Sequence, residues 1–182
     1  MPAGGSSRRL LQAAVIGDSE TTPDVLELAE QVGALLAELG IACITGGRGG
    51  VMEAAARGAF QNDGLTIAVL PGTEMDGANE WNRIVIPTGL GHARNAVMGI
   101  AGDFAVVIGG GAGTLSEVCF AWIHGRPIFA PADTGGWAER MAREGIQPDS
   151  RASSEIIACA NPGELREKLI AFIKNTDTKK EA

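Results

Sequence analysis

Repeated changes of period constrain this chain more than any other feature: short, uniformly apolar runs alternate with segments whose apolar residues recur every three or four positions. Residues 11–17 (LQAAVIG), 41–45 (IACIT), 65–70 (LTIAVL), 82–86, 104–108 (FAVVI) and 127–130 predict strands, with a last one over 154–158. A helix opens at Thr22 or Pro23. It carries Val25, Leu28, Ala29, Val32, Leu35, Leu36 and Leu39 in the i, i+3, i+4 pattern and ends at Gly40. Further helices are predicted over 51–61, 93–101, 114–124 and 163–173. Short apolar strands separated by helices belong in a mainly parallel sheet covered on both faces, a doubly wound α/β domain. That domain is expected over 11–174, after a flexible start (1–10) and before a charged, frayed tail (175–182). The Pro/Gly-rich stretch 131–148 reads as a connection between elements of the same sheet.

A chain of 182 residues can bury one sizeable core. The net charge is −7, and the basic pairs Arg8-Arg9 and Lys179-Lys180 stand near the ends. Nucleic acid is held by basic stripes, so it is not an expected partner. Cys43, Cys119 and Cys159 form no CxxC and lie in apolar stretches, which predicts reduced, buried thiols. No apolar stretch follows residues 1–9 as in a signal peptide, and no run approaches the ~18 apolar residues of a membrane span. The expectation is a cytoplasmic chain with no membrane partner. No His/Cys/carboxylate group has metal-ligand spacing, so neither a bound metal nor a required cofactor is predicted.

Glycine is abundant, at 26 residues, and it clusters at two strand-to-helix junctions. One is Gly46-Gly47-Arg48-Gly49-Gly50; the other is Gly109-Gly110-Gly111-Ala112-Gly113-Thr114. Superposing them brings Gly46, Gly47 and Gly50 onto Gly109, Gly110 and Gly113. At the carboxyl end of a parallel strand, the first amides of the next helix lack partners and carry partial positive charge. Glycine lets that backbone approach phosphate oxygens. A tight structural turn is the alternative reading, weakened by the presence of two such turns at the edge where ligands bind. Neither cluster is followed by Gly-Lys-Ser/Thr, and Ser116 stands where a dinucleotide fingerprint needs its third glycine. A mononucleotide or sugar phosphate fits better. The candidate binding set is Gly17, Gly46, Gly47, Gly49, Gly50, Arg94, Gly110, Gly111, Gly113, Thr114 and Glu117.

Glu117 falls ~150° from the apolar stripe of Leu115, Val118, Cys119 and Trp122. It reads either as a solvated first-turn acid favoured by the helix dipole or as a chemical group. Arg94 starts a helix entered through Gly89-Leu90-Gly91-His92, and its planar fork suits phosphate or carboxylate; a surface arginine is the plainer alternative. His92 has the chemistry of a general base, although a lone loop histidine is more often incidental. His124, just before Gly125, reads as a helix-capping residue. The Ala-rich segments 54–59 and 93–101 permit close approach of another helix, within the chain or from a second subunit.

Gly109 to Glu117 resembles the P-G-G-x-G-T-x-x-E motif of the LONELY GUY family of phosphoribohydrolases. The Gly46–Met52 turn resembles that family's first glycine motif, and His92-Ala93-Arg94 its H-x-R. Gly109 replaces the motif's proline and Asn95 its lysine, and the first turn is one residue shorter. Those departures are more similar to a sister branch, the molybdenum-cofactor carrier proteins, with DNA-processing protein A more distant. The resemblance implies a Rossmann-like fold over 11 to about 130 and a homo-oligomer, dimer or tetramer. In the carrier branch the glycine turns would grip the phosphate of a molybdenum cofactor or other phosphorylated small molecule, carried as ligand. In the enzyme branch Arg94 and Glu117 would be catalytic, cleaving the N-glycosidic bond of a (cytokinin) nucleoside 5′-monophosphate. The carrier-like reading is the one adopted.

Overall fold

The first apolar run folds as β1 (Gln12–Gly17), and Ala13 to Ile16 are at most 1% exposed, as in a strand covered on both faces. The structure, a computed structural model, describes residues 9–150 and 154–181; the expected flexible start falls largely on residues 1–8, outside that range. After β1 come α1 (Pro23–Glu38), β2 (Ala42–Thr45), α2 (Val51–Gln61), β3 (Thr66–Leu70) and β4 (Ile84–Pro87). A 3-10 turn, Gly91–Ala93, leads into α3 (Arg94–Ala101), β5 (Phe104–Ile108) and α4 (Ala112–Ile123). The chain closes with β6 (Ile128–Pro131), α5 (Gly136–Glu144), β7 (Ile156–Cys159) and α6 (Pro162–Glu181).

The strands form one sheet in the order β4-β3-β2-β1-β5-β6-β7, and every pairing is parallel. One core cluster joins α1, α2 and α6 to one face, and a second joins α3, α4 and α5 to the other. This is the doubly wound, Rossmann-like arrangement. The strand order turns around between β1 and β5, and ligands in such sheets lie outside the strand ends at that point. Register runs from Ala13↔Phe104 to Gly17↔Ile108, so β1 and β5 end level and deliver their following residues side by side.

Two glycines let α1 and α2 cross backbone to backbone. A Cβ on Gly33 would run into the Ala55 carbonyl, and one on Gly58 into the Glu30 carbonyl. Ala54, Ala55 and Ala59 are buried in that cluster, so the Ala-rich stripe of α2 packs within the chain and is not a surface for a second subunit. On the same face Phe104, Phe129 and Phe172 meet edge to face, with centroids 5.3–5.9 Å apart, and dock α6.

Several boundaries differ from expectation. The stretch 131–148 contains the nine-residue helix α5, hidden in the sequence because only Ala138 and Met141 are buried and glycines precede it. Strand β4 begins at Ile84, because the Arg83 N–H just before it donates to Thr66 Oγ1 (2.9 Å) and the ladder with β3 starts at Ile67↔Ile84. Helix α6 continues to Glu181; neither proline nor glycine follows Ile173 to stop it. Cys43 and Cys159 are buried and burial pushes their thiols up, to about 12 and about 11, but Cys119 is only half-buried.

Candidate functional site

The level ends of β1 and β5 place Asp18 against the second glycine turn. Its carboxylate accepts the Gly110 N–H (2.6 Å) and the Gly111 N–H (3.1 Å), while its carbonyl accepts the Val51 N–H (3.0 Å) at the start of α2. One residue therefore ties both glycine turns to the central strand. Positive φ at Gly50 (66°) and Gly110 (108°) makes these turns possible, and a Cβ on Gly50 would strike the Asp18–Ser19 backbone.

The two turns are not equivalent. The first has its leading helix amide satisfied by Asp18. The second leads into α4 through Gly111, which supplies no side-chain cap. The first intrahelical bond of α4 is Leu115 N–H to Gly111 C=O, so the amides of Ala112, Gly113 and Thr114 have no acceptor within the helix. A Cβ on Gly111 or Gly113 would have no protein neighbour closer than 3.8 or 4.0 Å. These two glycines face open space, whereas a Cβ on Gly17 or Gly46 would collide with protein.

That space is a cleft of about 280 Å³ at the sheet's switch point. It gathers Gly17, Gly46, Arg94, Gly111, Gly113, Thr114 and Glu117 from the predicted set. Gly47, Gly49, Gly50 and Gly110 do not line it; they shape the turns behind it. The wall also includes Asp18, Ser19, Arg48, Met52, His92, Asn95 and Met98. Asp18 and Arg48 gave no signal in the sequence, because an acid and a base in loops acquire meaning only from strand register.

At the floor of the cleft Arg94 Nη1 donates to Glu117 Oε1 at 3.2 Å. Both residues are buried, at 8% and 7% exposure, so Arg94 is not a surface arginine and Glu117 is not the solvated acid that helix periodicity predicts. The periodicity counts only the face of α4 on the sheet; α3 covers another. Gly99 permits this, since a Cβ there would meet Phe120 Cβ at 2.5 Å and the Glu117 carbonyl at 2.6 Å. Leu115 and Cys119 of the predicted stripe are correspondingly only half-buried. Burial raises the Glu117 carboxyl to about 7 against the pull of Arg94, and burial lowers the Arg94 guanidinium, opposed by Glu117. Arg94 Nε is buried without a hydrogen-bond partner among the described residues.

Asn95, on the cleft wall, donates its Nδ2 to Ser116 Oγ at 2.8 Å and so ties α3 to the start of α4. His92 is exposed at the cleft rim. His124 caps α4 as expected, with ring Nδ1 2.9 Å from the Phe120 carbonyl. Among the described residues no group of three or more His, Cys, Asp or Glu could hold a metal ion. None of the described helices is long and apolar enough to cross a membrane.

Fold and cleft together define a Rossmann-like α/β protein with a cleft at the switch point of a parallel sheet. The SLOG cluster4 family model matches residues 10–168, and the chain belongs to that family. It is 42% identical over 120 residues to an uncharacterized protein of Archaeoglobus fulgidus, spanning 66% of this chain and 79% of the archaeal one. Among solved structures it is similar to the molybdenum cofactor binding protein of Rippkaea orientalis. There the TM-score is 0.79 at 33% identity, covering 92% of this chain and 99% of the other. The molybdenum cofactor carrier protein of Chlamydomonas reinhardtii superposes with a TM-score of 0.74 at 26% identity, covering 91% and 99%. DNA processing protein A from Helicobacter pylori, at 18% identity, shares the fold.

Proposed function

We propose that the cleft binds a phosphorylated small molecule of the molybdenum-cofactor type and carries it without cleaving it. The observation that carries this reading is the opening of α4: its first three amides have no intrahelical acceptor, and Gly111, Gly113 and Thr114 line a cleft that the two glycines leave clear. A phosphate there is favoured by the helix dipole and by direct N–H donation. Arg48 and Arg94 add positive charge to the same wall, and Met52 and Met98 offer polarizable surface to a flat ring. The solved relatives that bind or carry molybdenum cofactor support this choice of ligand. The net charge of −7 disfavours nucleic acid as the partner.

One observation favours a second reading, hydrolysis of a nucleoside 5′-monophosphate. Glu117, held near a pKa of about 7 beside Arg94, is poised to hold or release a proton at neutral pH. Incubation with a panel of nucleoside 5′-monophosphates, including N6-modified adenosine monophosphate, separates the two. The carrier reading predicts stoichiometric binding and no free base. Base release that Glu117→Gln abolishes would establish the hydrolase instead.

We also propose that the chain assembles as a homo-oligomer, dimer or tetramer, through the α3 side of the sheet. Ile84 and Ile86 on edge strand β4 are exposed, and so are Ile100 on α3 and Ile123 on α4. In register, Ile84 and Ile86 lie beside Ile67 and Val69, which pack into the α3–α4 cluster, so they extend the same apolar face.

A further inference from the structure

The second glycine turn contains two seats for negative charge, and the chain fills one of them itself. The open seat is the first turn of α4. The filled seat is the pair of amides at Gly110 and Gly111, which donate to the Asp18 carboxylate at 2.6 and 3.1 Å. That pairing is enforced from behind by α5. Ala138 N–H donates to the Gly109 carbonyl at 2.9 Å, and Trp137 N–H to the Gly110 carbonyl at 3.0 Å. In a trans peptide the C=O and the following N–H point in opposite directions. Holding those two carbonyls therefore aims the Gly110 and Gly111 amides at Asp18. Thr134 Oγ1 also accepts the Gly109 N–H at 3.1 Å, fixing the turn from the same loop.

We infer that Asp18 sets the phosphate count of the ligand, admitting a phosphomonoester and rejecting a diphosphate. The inference rests on the reading that the cleft binds a phosphorylated ligand. A single terminal phosphate uses the open seat alone. A second phosphate reaching along the turn meets amides that are already occupied and a fixed carboxylate of its own sign. Asp18 stands on the cleft wall, at the end of β1, where that second group would lie.

The test is calorimetric titration of the full chain with adenosine mono- and diphosphate, and with inorganic phosphate and pyrophosphate, repeated on Asp18→Ala and Asp18→Asn. The wild-type chain should favour each mono- over its diphosphate by about tenfold or more, the scale of a like-charge clash. Asp18→Ala, which frees both amides, should remove most of that preference by strengthening diphosphate binding. Asp18→Asn keeps the shape without the charge and should lie between; it keeps the test decisive if the alanine variant does not fold. Equal wild-type affinity for the mono- and diphosphate would overturn this inference alone. So would an alanine variant that gains as much for the monophosphate as for the diphosphate, because Asp18 would then merely compete for the same seat. Failure of all four probes to bind would overturn the cleft reading and this inference with it.

Discussion

Arg94 and Glu117 meet across the α3–α4 crossing, with guanidinium Nη1 3.2 Å from carboxylate Oε1 and each side chain 10% exposed. Two successive helices, joined through β5, thus bring an ion pair to the floor of the cleft, and Gly99 is what lets them come close enough. The pair is shielded from water, so its charge state is coupled to folding.

Burial pushes the Glu117 carboxyl up from its ordinary 4.5 to about 7 in the folded chain, outweighing the attraction of Arg94. The protonated form is the better tolerated one in the folded chain. Wild-type stability relative to Glu117→Gln should fall as pH rises from about 4.5 to about 7 and level off above that. Thermal melts of the two proteins across that window check it. A wild type that gains on the glutamine variant with rising pH would contradict the assigned cause.

Removing the other partner exposes the same coupling. Arg94→Ala leaves a buried carboxylate unpaired and should cost about 3 kcal/mol at alkaline pH. The cost should shrink below the Glu117 pKa, where the carboxyl is neutral. Denaturant unfolding at two pH values measures this, and a pH-independent loss would assign the effect to packing alone.

Gly33 and Gly58 hold α1 against α2 at backbone contact. Gly33→Val should therefore destabilise the fold by roughly 2–3 kcal/mol through overpacking. Gly113→Ala, whose Cβ would have 4.0 Å of clearance, should leave the melting temperature nearly unchanged. A stable Gly33→Val would show that the crossing is looser than described.

The exposed side chains of Ile84, Ile86, Ile100 and Ile123 predict concentration-dependent association. Ile100→Glu with Ile123→Glu should shift the chain to monomer in sedimentation. A wild type that remains monomeric at micromolar concentration would remove the proposed interface.

Much of this architecture is legible in the sequence, because uniformly apolar strands and amphipathic α1 declare themselves through period. Helix α5 does not: its nine residues bury little and follow glycines, so local composition resembles a loop. Arg94 and Glu117 stand out through motif resemblance, yet their burial is invisible to periodicity, which cannot know that α3 lies across α4. Asp18 is the clearest case. No local pattern marks an aspartate after a strand as the acceptor for amides 92 and 93 positions away. Only the β1–β5 register supplies that information, and the same register explains why several turn glycines are shaped around Asp18 instead of facing the cleft.

The most direct test of the carrier reading is native mass spectrometry of the chain after anaerobic incubation with molybdenum cofactor, run beside Gly113→Val. The wild type should show one intact, non-covalent adduct per chain, and the variant should lose most of it, because valine's branches fill the space before the α4 amides. A wild type without adduct, or a folded Gly113→Val with undiminished occupancy, would contradict the placement of the ligand phosphate at that helix.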